Sequence, residues 1–350
     1  MSIRRSHKYN ALIFGSPLGA LPIFWVGTIV ASKKRELLFQ ALRGRTKTAI
    51  FSITTRCNCN CTMCGIPRME KVAISLPKAK ELLDDCSRNG VLFVSFTGGE
   101  PLMHPDLGEI LSYAKAKGMF VHVASNGTMP ERIRPLKGLV DLIGFSLDSH
   151  DPEEHDRNRG RRNCSQEVAK SVRISHFLGM RPIVNTPPNR MIMGRIEEYV
   201  RYVNEELGCP VGFCYPMVDN GGYYDKGLNV VSSLKPYEIV KFYSKAIELK
   251  GNHTKIVNTY DFLRESIMYT LGQKVSPCRA GERVVWVDWS GSVHPCFNKN
   301  SVRLNGSNRL WSCFDANECS ECFNQCFREP SLVSGLANTL RNWKAYKYFL

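Results

Sequence analysis

Thr54–Gly65 reads TTRCNCNCTMCG, with four cysteines, Cys57, Cys59, Cys61 and Cys64, inside eight residues. No hairpin or helix needs thiols so close together, and neighbours this crowded do not pair easily as disulfides. Within the stretch Cys57, Cys61 and Cys64 form C-x3-C-x2-C. Three thiolates on one loop can ligate three irons of a 4Fe–4S cluster and leave the fourth iron open for chemistry. The competing reading is structural zinc, which needs a closed tetrahedron and would draw on Cys59 as fourth ligand. Otherwise Cys59 is a spare thiol.

Around this loop the chain alternates. The β-branched or aromatic runs 49–55, 91–97, 119–125, 140–148, 181–186 and 211–216 read as strands, and amphipathic runs at about 75–89, 104–117, 129–137, 165–178, 193–207 and 235–250 as helices. Ser75 and Pro77 look like a helix start, and Gly90, Gly118, Gly138, Gly179, Gly208 and Gly251 look like helix stops. Such alternation implies parallel strands joined by right-handed crossovers. The expectation is an α/β fold, a partial (βα)6 parallel barrel over 49–269. A small cysteine-rich C-terminal module (270–350) follows it, and a hydrophobic N-terminal segment (1–48) precedes it. Active sites of parallel barrels lie at the carboxyl ends of strands. There the chain carries RCNCNCTMC, GGEP, SNGT, SHDPEEHDRNRG, PPNR and MVDNGG.

The three-cysteine motif, followed by Gly98-Gly99-Glu100-Pro101 at the end of the second strand, resembles the radical S-adenosylmethionine (SAM) superfamily over about residues 49–250. The resemblance implies that Cys57, Cys61 and Cys64 hold a 4Fe–4S cluster whose open iron is chelated by SAM. It further implies that Gly98, Gly99 and Glu100 bind the methionine amino end. Ser125, Asn126, Ser146, Asp148 and Asn185 stand at strand ends where family members contact ribose or methionine; turn closure and helix capping are their other reading. Where the family usually places an aromatic residue near the adenine, this chain has Met63, which can also pack on an adenine face.

The C-terminal spacing Cys278-x12-Gly291-x4-Cys296, then Cys319-x2-Cys322-x3-Cys326, resembles the SPASM and Twitch extensions, which carry auxiliary iron–sulfur clusters. Six cysteines, counting Cys313, suffice for one fully ligated 4Fe–4S cluster and not two. The shorter pattern implies Cys278, Cys296, Cys319 and Cys322 as ligands, with Cys326 the substitute and Cys313 free. A zinc knuckle is the alternative.

The whole chain has 350 residues, fourteen cysteines, 43% hydrophobic residues and a net charge of +15. That is length and apolar content enough for a large core, unlike a small disulfide framework, and it points to a reducing cytoplasm. Residues 9–32 carry no charge and are followed by Lys33, Lys34 and Arg35. A helix of that length spans about 36 Å, against about 30 Å of hydrocarbon. Pro17 and Pro22 break such a helix, so an interfacial segment on the anionic, cytoplasmic face of a membrane is expected, or a pair of helices covering the barrel. The basic charge also suits an acidic flavodoxin or ferredoxin as electron donor. No nucleic-acid-binding motif is present. Arg157, Arg159, Arg161 and Arg162 read either as a substrate-phosphate site or as a solvated loop.

The resemblance implies a radical SAM enzyme that abstracts hydrogen from an unactivated carbon. The hydrophobic front end favours a membrane lipid or isoprenoid substrate, and the SPASM-like extension a ribosomal peptide. A non-catalytic metal-binding protein is the reading from another class. No residue is singled out as a catalytic acid or base.

Overall fold

The computed structural model describes residues 47–216, 234–252, 254–301 and 319–332. The hydrophobic run 9–32, the MVDNGG segment and Cys313 lie outside them. The expected strands form β1 (Lys47–Thr54), β2 (Val91–Gly98), β3 (Phe120–Ser125), β4 (Leu142–Ser146), β5 (Pro182–Thr186) and β6 (Val211–Phe213). Each pairs in parallel with the next. The sheet does not end at β1. The C-terminal module adds β7 (Val284–Val287), parallel to β1, and β8 (Val293–His294), antiparallel to β7, giving the order β6-β5-β4-β3-β2-β1-β7-β8. Trp286 Nε1 donates to Ser52 Oγ at 2.8 Å, across 234 residues of chain.

The helices are α1 (Leu76–Arg88), α2 (Leu107–Ala116), α3 (Pro152–Arg159), α4 (Cys164–Phe177), α5 (Ile196–Arg201), α6 (Pro236–Gly251), α7 (Tyr260–Thr270) and α8 (Gln325–Leu332). Ser75 caps α1 by accepting from the Lys78 amide. Gly90, Gly118, Gly138, Gly179 and Gly208 take positive φ as helix stops do, whereas Gly251 is the last residue of α6 and does not. The helix expected at 129–137 is only two 3-10 turns, because Pro130 and Pro135 remove amide donors from so short a run. In place of the end of the run 193–207, α5 widens into a π turn at Tyr202–Glu206.

Period-two alternation divides the strands between two environments. Ala49, Phe51 and Ile53 of β1, Val94 and Phe96 of β2, and Val121 and Val123 of β3 are fully buried in the core that includes α1 and α2. The intervening residues, among them Ile50, Ser95, Thr97, His122 and Gly144, line an interior cavity of about 540 Å³. Among the described residues no helix is long and apolar enough to cross a membrane.

Phe51 packs at 5.6 Å between ring centroids on Phe96, with no exposed surface. Phe51→Ala is expected to lower stability by about 3–5 kcal/mol, read as a reduced urea midpoint; an unchanged midpoint would show that this layer is not packed as described.

Candidate active site

The cysteine loop begins where β1 ends, and the two threonines before it pin its entry. Thr54 Oγ1 donates to Val72 O at 2.9 Å, and Thr55 Oγ1 donates to Glu70 O at 2.5 Å and accepts from the Val72 amide at 2.9 Å. On the other side the GGEP turn lies directly on the loop backbone. Gly99 N donates to Thr54 O and Glu100 N to Arg56 O, both at 2.7 Å. A Cβ on Gly98 would stand 2.4 Å from Thr54 O, and one on Gly99 2.3 Å from Arg56 O. The glycines line the cavity, but this close approach to their own chain is what requires them.

Glu100 departs from its expected role. It is fully buried and is not part of the cavity wall. Its oxygens accept from the Leu102 amide at 3.0 Å, Ser125 Oγ at 2.9 Å and the Asn126 amide at 2.7 Å. It braces two strand ends instead of offering a free carboxylate to a ligand. Burial pushes its carboxyl up to about 7, against three donors that favour the ionised form. Asp148 is likewise off the wall: it binds Arg159 and Asn158.

Cys57, Cys61 and Cys64 line one end of the cavity with Cys59 and Met63. These sulfurs pack together with Cys164, at the start of α4, which nothing in the local sequence connects to the motif. Cys59 keeps its proton, held by hydrogen bonds to Cys164, Cys57 and Cys61. Those bonds favour the thiolates of Cys57 and Cys61, the latter helped by Arg159. Burial pushes Cys64 up to about 12. Asn126 Nδ2 reaches Cys57 Sγ at 3.8 Å and Arg159 Nη1 reaches Cys61 Sγ at 3.7 Å. Three cysteines on one wall, two of them receiving N–H donors that compensate thiolate charge, fit an iron–sulfur cluster held by Cys57, Cys61 and Cys64.

Ser125, Asn126, Ser146 and Asn185 all reach the cavity. Ser125 and Asn126 also close the turn after β3, the first by donating to Glu100 and the second by accepting from Thr128 N at 2.9 Å. Asn185 has room because its neighbours are glycines: a Cβ on Gly144 would meet Nδ2 at 2.8 Å, and one on Gly212 would meet Oδ1 at 2.7 Å. Deeper in the barrel, His122 bonds Ser95 Oγ through Nδ1 at 2.8 Å, above stacked Phe93 and Phe120. Sequence reading passed over His122, although its inward register on β3 was available as a signal.

Opposite the cysteine loop, α8 brings Gln325, Cys326, Glu329 and Pro330 to the cavity. Cys278, Cys296 and Cys319 gather elsewhere, around Trp286 and Phe297, and Cys278 N donates to Cys319 O at 2.8 Å. The charge of Cys322 acts on both Cys278 and Cys296. Cys326 instead acts on Cys214, across the cavity wall. Gly291 sits at φ +82° in the β7–β8 turn.

Residues 51–198 match the family described as the Radical SAM superfamily. The antilisterial bacteriocin subtilosin biosynthesis protein AlbA of Bacillus subtilis (strain 168) is 29% identical over 254 residues. That match covers 71% of this chain and 54% of AlbA, so the chain spans about half that relative's length. Fe-coproporphyrin III synthase of Methanosarcina barkeri (strain Fusaro) is 23% identical over 280 residues, covering 73% of this chain and 70% of the relative. Among solved structures, Streptococcus suis SuiB bound to precursor peptide SuiA superposes with a TM-score of 0.62 at 14% identity, covering 88% of this chain and 73% of that one. The likeness is one of fold.

Burial pushes His122 down to about 4. A depressed histidine binds fewer protons folded than unfolded, so its contribution to stability is whole above about 6.5 and is lost as pH falls toward about 4, a full effect of about 3 kcal/mol. Glu100, with its pKa raised, has the opposite slope in nearly the same window. Wild type should therefore lose stability relative to His122→Gln between about pH 7 and pH 4 in urea titrations; parallel curves would contradict a buried neutral imidazole.

Proposed function

We propose, from the match of residues 51–198 to the radical SAM family, that this chain is a radical SAM enzyme acting on a ribosomally made peptide. The observation that carries the reading is the cavity, which joins the Cys57, Cys61 and Cys64 wall to the α8 face of the C-terminal module. Substrate placed there lies between the cysteine loop and α8. AlbA serves the biosynthesis of a bacteriocin and SuiB is seen with a precursor peptide. They support a peptide where the sequence favoured a membrane lipid or isoprenoid.

In this reading Cys57, Cys61 and Cys64 hold a 4Fe–4S cluster, and Cys278, Cys296, Cys319 and Cys322 an auxiliary one. When bound, cluster and SAM supply one-electron reductive cleavage to a 5′-deoxyadenosyl radical, which abstracts hydrogen from an unactivated carbon. The chain's own residues orient and shield. Gly98 and Gly99 leave the cavity wall bare of side chain beside the loop, Met63 gives it an apolar sulfur face, and Asn185, Ser146 and Asn126 offer polar contacts to ribose or methionine. Phe93 and Phe120 close the floor and exclude water. Reduction requires an external low-potential donor, for which an acidic flavodoxin or ferredoxin suits the net charge of +15.

The test is anaerobic reconstitution of the full chain with iron and sulfide, then dithionite and SAM. Short peptides encoded beside the gene, an iron porphyrin and an isoprenoid lipid extract are supplied in parallel. A mass change confined to a peptide, with 5′-deoxyadenosine formed, is expected; turnover of the porphyrin or lipid alone would overturn the peptide reading. Alanine at Cys57, Cys61 or Cys64 should abolish SAM cleavage while Cys59→Ala retains it. Removing Cys278 and Cys296 together should lower iron from about eight to about four per chain and leave SAM cleavage in place. Zinc in wild type at that position would instead favour the knuckle.

A further inference from the structure

Of the four arginines after β4, three are accounted for by solvent or a local pair: Arg157 and Arg162 are exposed, and Arg161 binds Glu167. Arg159 is different. It is the last residue of α3, 8% exposed, and it reaches both a buried carboxylate and the cysteine loop. We propose that Arg159, held in place by Asp148, sets the reduction potential of the cluster through its N–H contact with Cys61.

Helix α3 is built to deliver this side chain. Asp151 caps its start by accepting from the Glu154 amide at 3.0 Å, Pro152 occupies the first turn, and Gly160 ends it in the left-handed region at φ +60°. A Cβ on Gly160 would stand 2.4 Å from Asn60 O, so the turn touches the cysteine loop backbone itself. Two main-chain bonds join them, Asn60 N to Arg159 O at 3.0 Å and Thr62 N to Asn158 O at 2.9 Å. Asp148 then holds the guanidinium by one hydrogen bond, Nη2 donating to Oδ1 at 2.7 Å, and by the ion pair that places Oδ2 2.6 Å from an Nε that makes no hydrogen bond. Asn158 Nδ2 occupies Asp148 further at 2.8 Å. Nη1 is left to face Cys61 Sγ at 3.7 Å.

The physical consequence has a definite sign. Reduction adds negative charge to a cluster whose thiolates are already anionic, and hydrogen bonds to those sulfurs are among the controls of its potential. A fixed cation at a ligand sulfur, both of them buried, favours the reduced state and raises the potential. Asp148 partly offsets that charge while holding the guanidinium in position. Arg159 is thus a positioning residue that acts through Cys61.

The inference rests on the proposal that Cys61 ligates the cluster, so Cys61→Ala is measured first. Iron retained in full by that variant would overturn the ligand reading and this one with it. The full chain is then reconstituted as Arg159→Gln, Arg159→Lys and Asp148→Asn. Each is titrated electrochemically while following the EPR signal that SAM perturbs. Arg159→Gln should load iron as wild type does and show a potential lower by at least a tenfold change in the one-electron equilibrium, 59 mV. Asp148→Asn, which removes the offsetting negative charge, should move the potential upward. A merely structural role would move both variants alike or neither, and either result overturns the proposal. Should Arg159→Gln fail to take up iron, Arg159→Lys, with the charge kept and the planar fork lost, must still fall while Asp148→Asn rises; any other pair of results overturns it.

Discussion

The segment Arg56–Gly65 contains neither helix nor strand, so its backbone polar groups must find partners outside regular structure. It borrows them from three directions: the Arg56 amide donates to Thr54 Oγ1, the Arg56 carbonyl accepts from Glu100 in the GGEP turn after β2, and the Asn60 and Thr62 amides donate to carbonyls at the end of α3. Each lender is shaped to come close. Gly99 and Gly160 each stand where an added Cβ would fall 2.4 Å or less from a loop carbonyl, and Gly98 stands as close to the Thr54 carbonyl that precedes the loop. The position of the sulfurs therefore follows from backbone satisfaction before any metal enters.

The buried polar residues around the loop obey the same constraint. Glu100 ties β2 to the turn after β3, and Asp148 ties the end of β4 to α3. Neither spends its charge on the cavity. Burial opposes the ionised form of each, and Arg159 supplies Asp148 with a compensation that holds its carboxyl below the usual range. Glu100 accepts hydrogen bonds only from neutral groups, with Arg159 acting on it without a hydrogen bond, and burial raises it.

Much of this was legible in the residues. Six strands follow from their β-branched runs, and the cysteine spacing together with GGEP located one end of the cavity. What escaped had physical reasons. Helix α3 is charged on nearly every side and has no apolar stripe, so PEEHDRNR reads as a loop, and Arg159 is indistinguishable there from its exposed neighbours. Cys164 lies a hundred residues from its sulfur companions and joins them only because α4 starts beside the loop. The C-terminal module read as separate because its strands are short, yet β7 extends the barrel sheet. Gly144 and Gly212 look like ordinary strand glycines until Asn185 is seen between them.

The pairing of β1 with β7 also governs how the chain is made. Ser52 and Trp286 are 234 residues apart, and at about 5–20 residues per second a ribosome takes roughly 10 to 50 s to synthesise that stretch. Throughout that interval β1 can pair with β2, but its other edge keeps unsatisfied amides and carbonyls and invites strands from other chains. Contacts this distant along the chain also slow folding once synthesis is complete. The strand that presents the cysteine loop is consequently the last of the barrel to acquire both neighbours. Heterologous production should gain more from slow translation and chaperone capacity than from surface redesign.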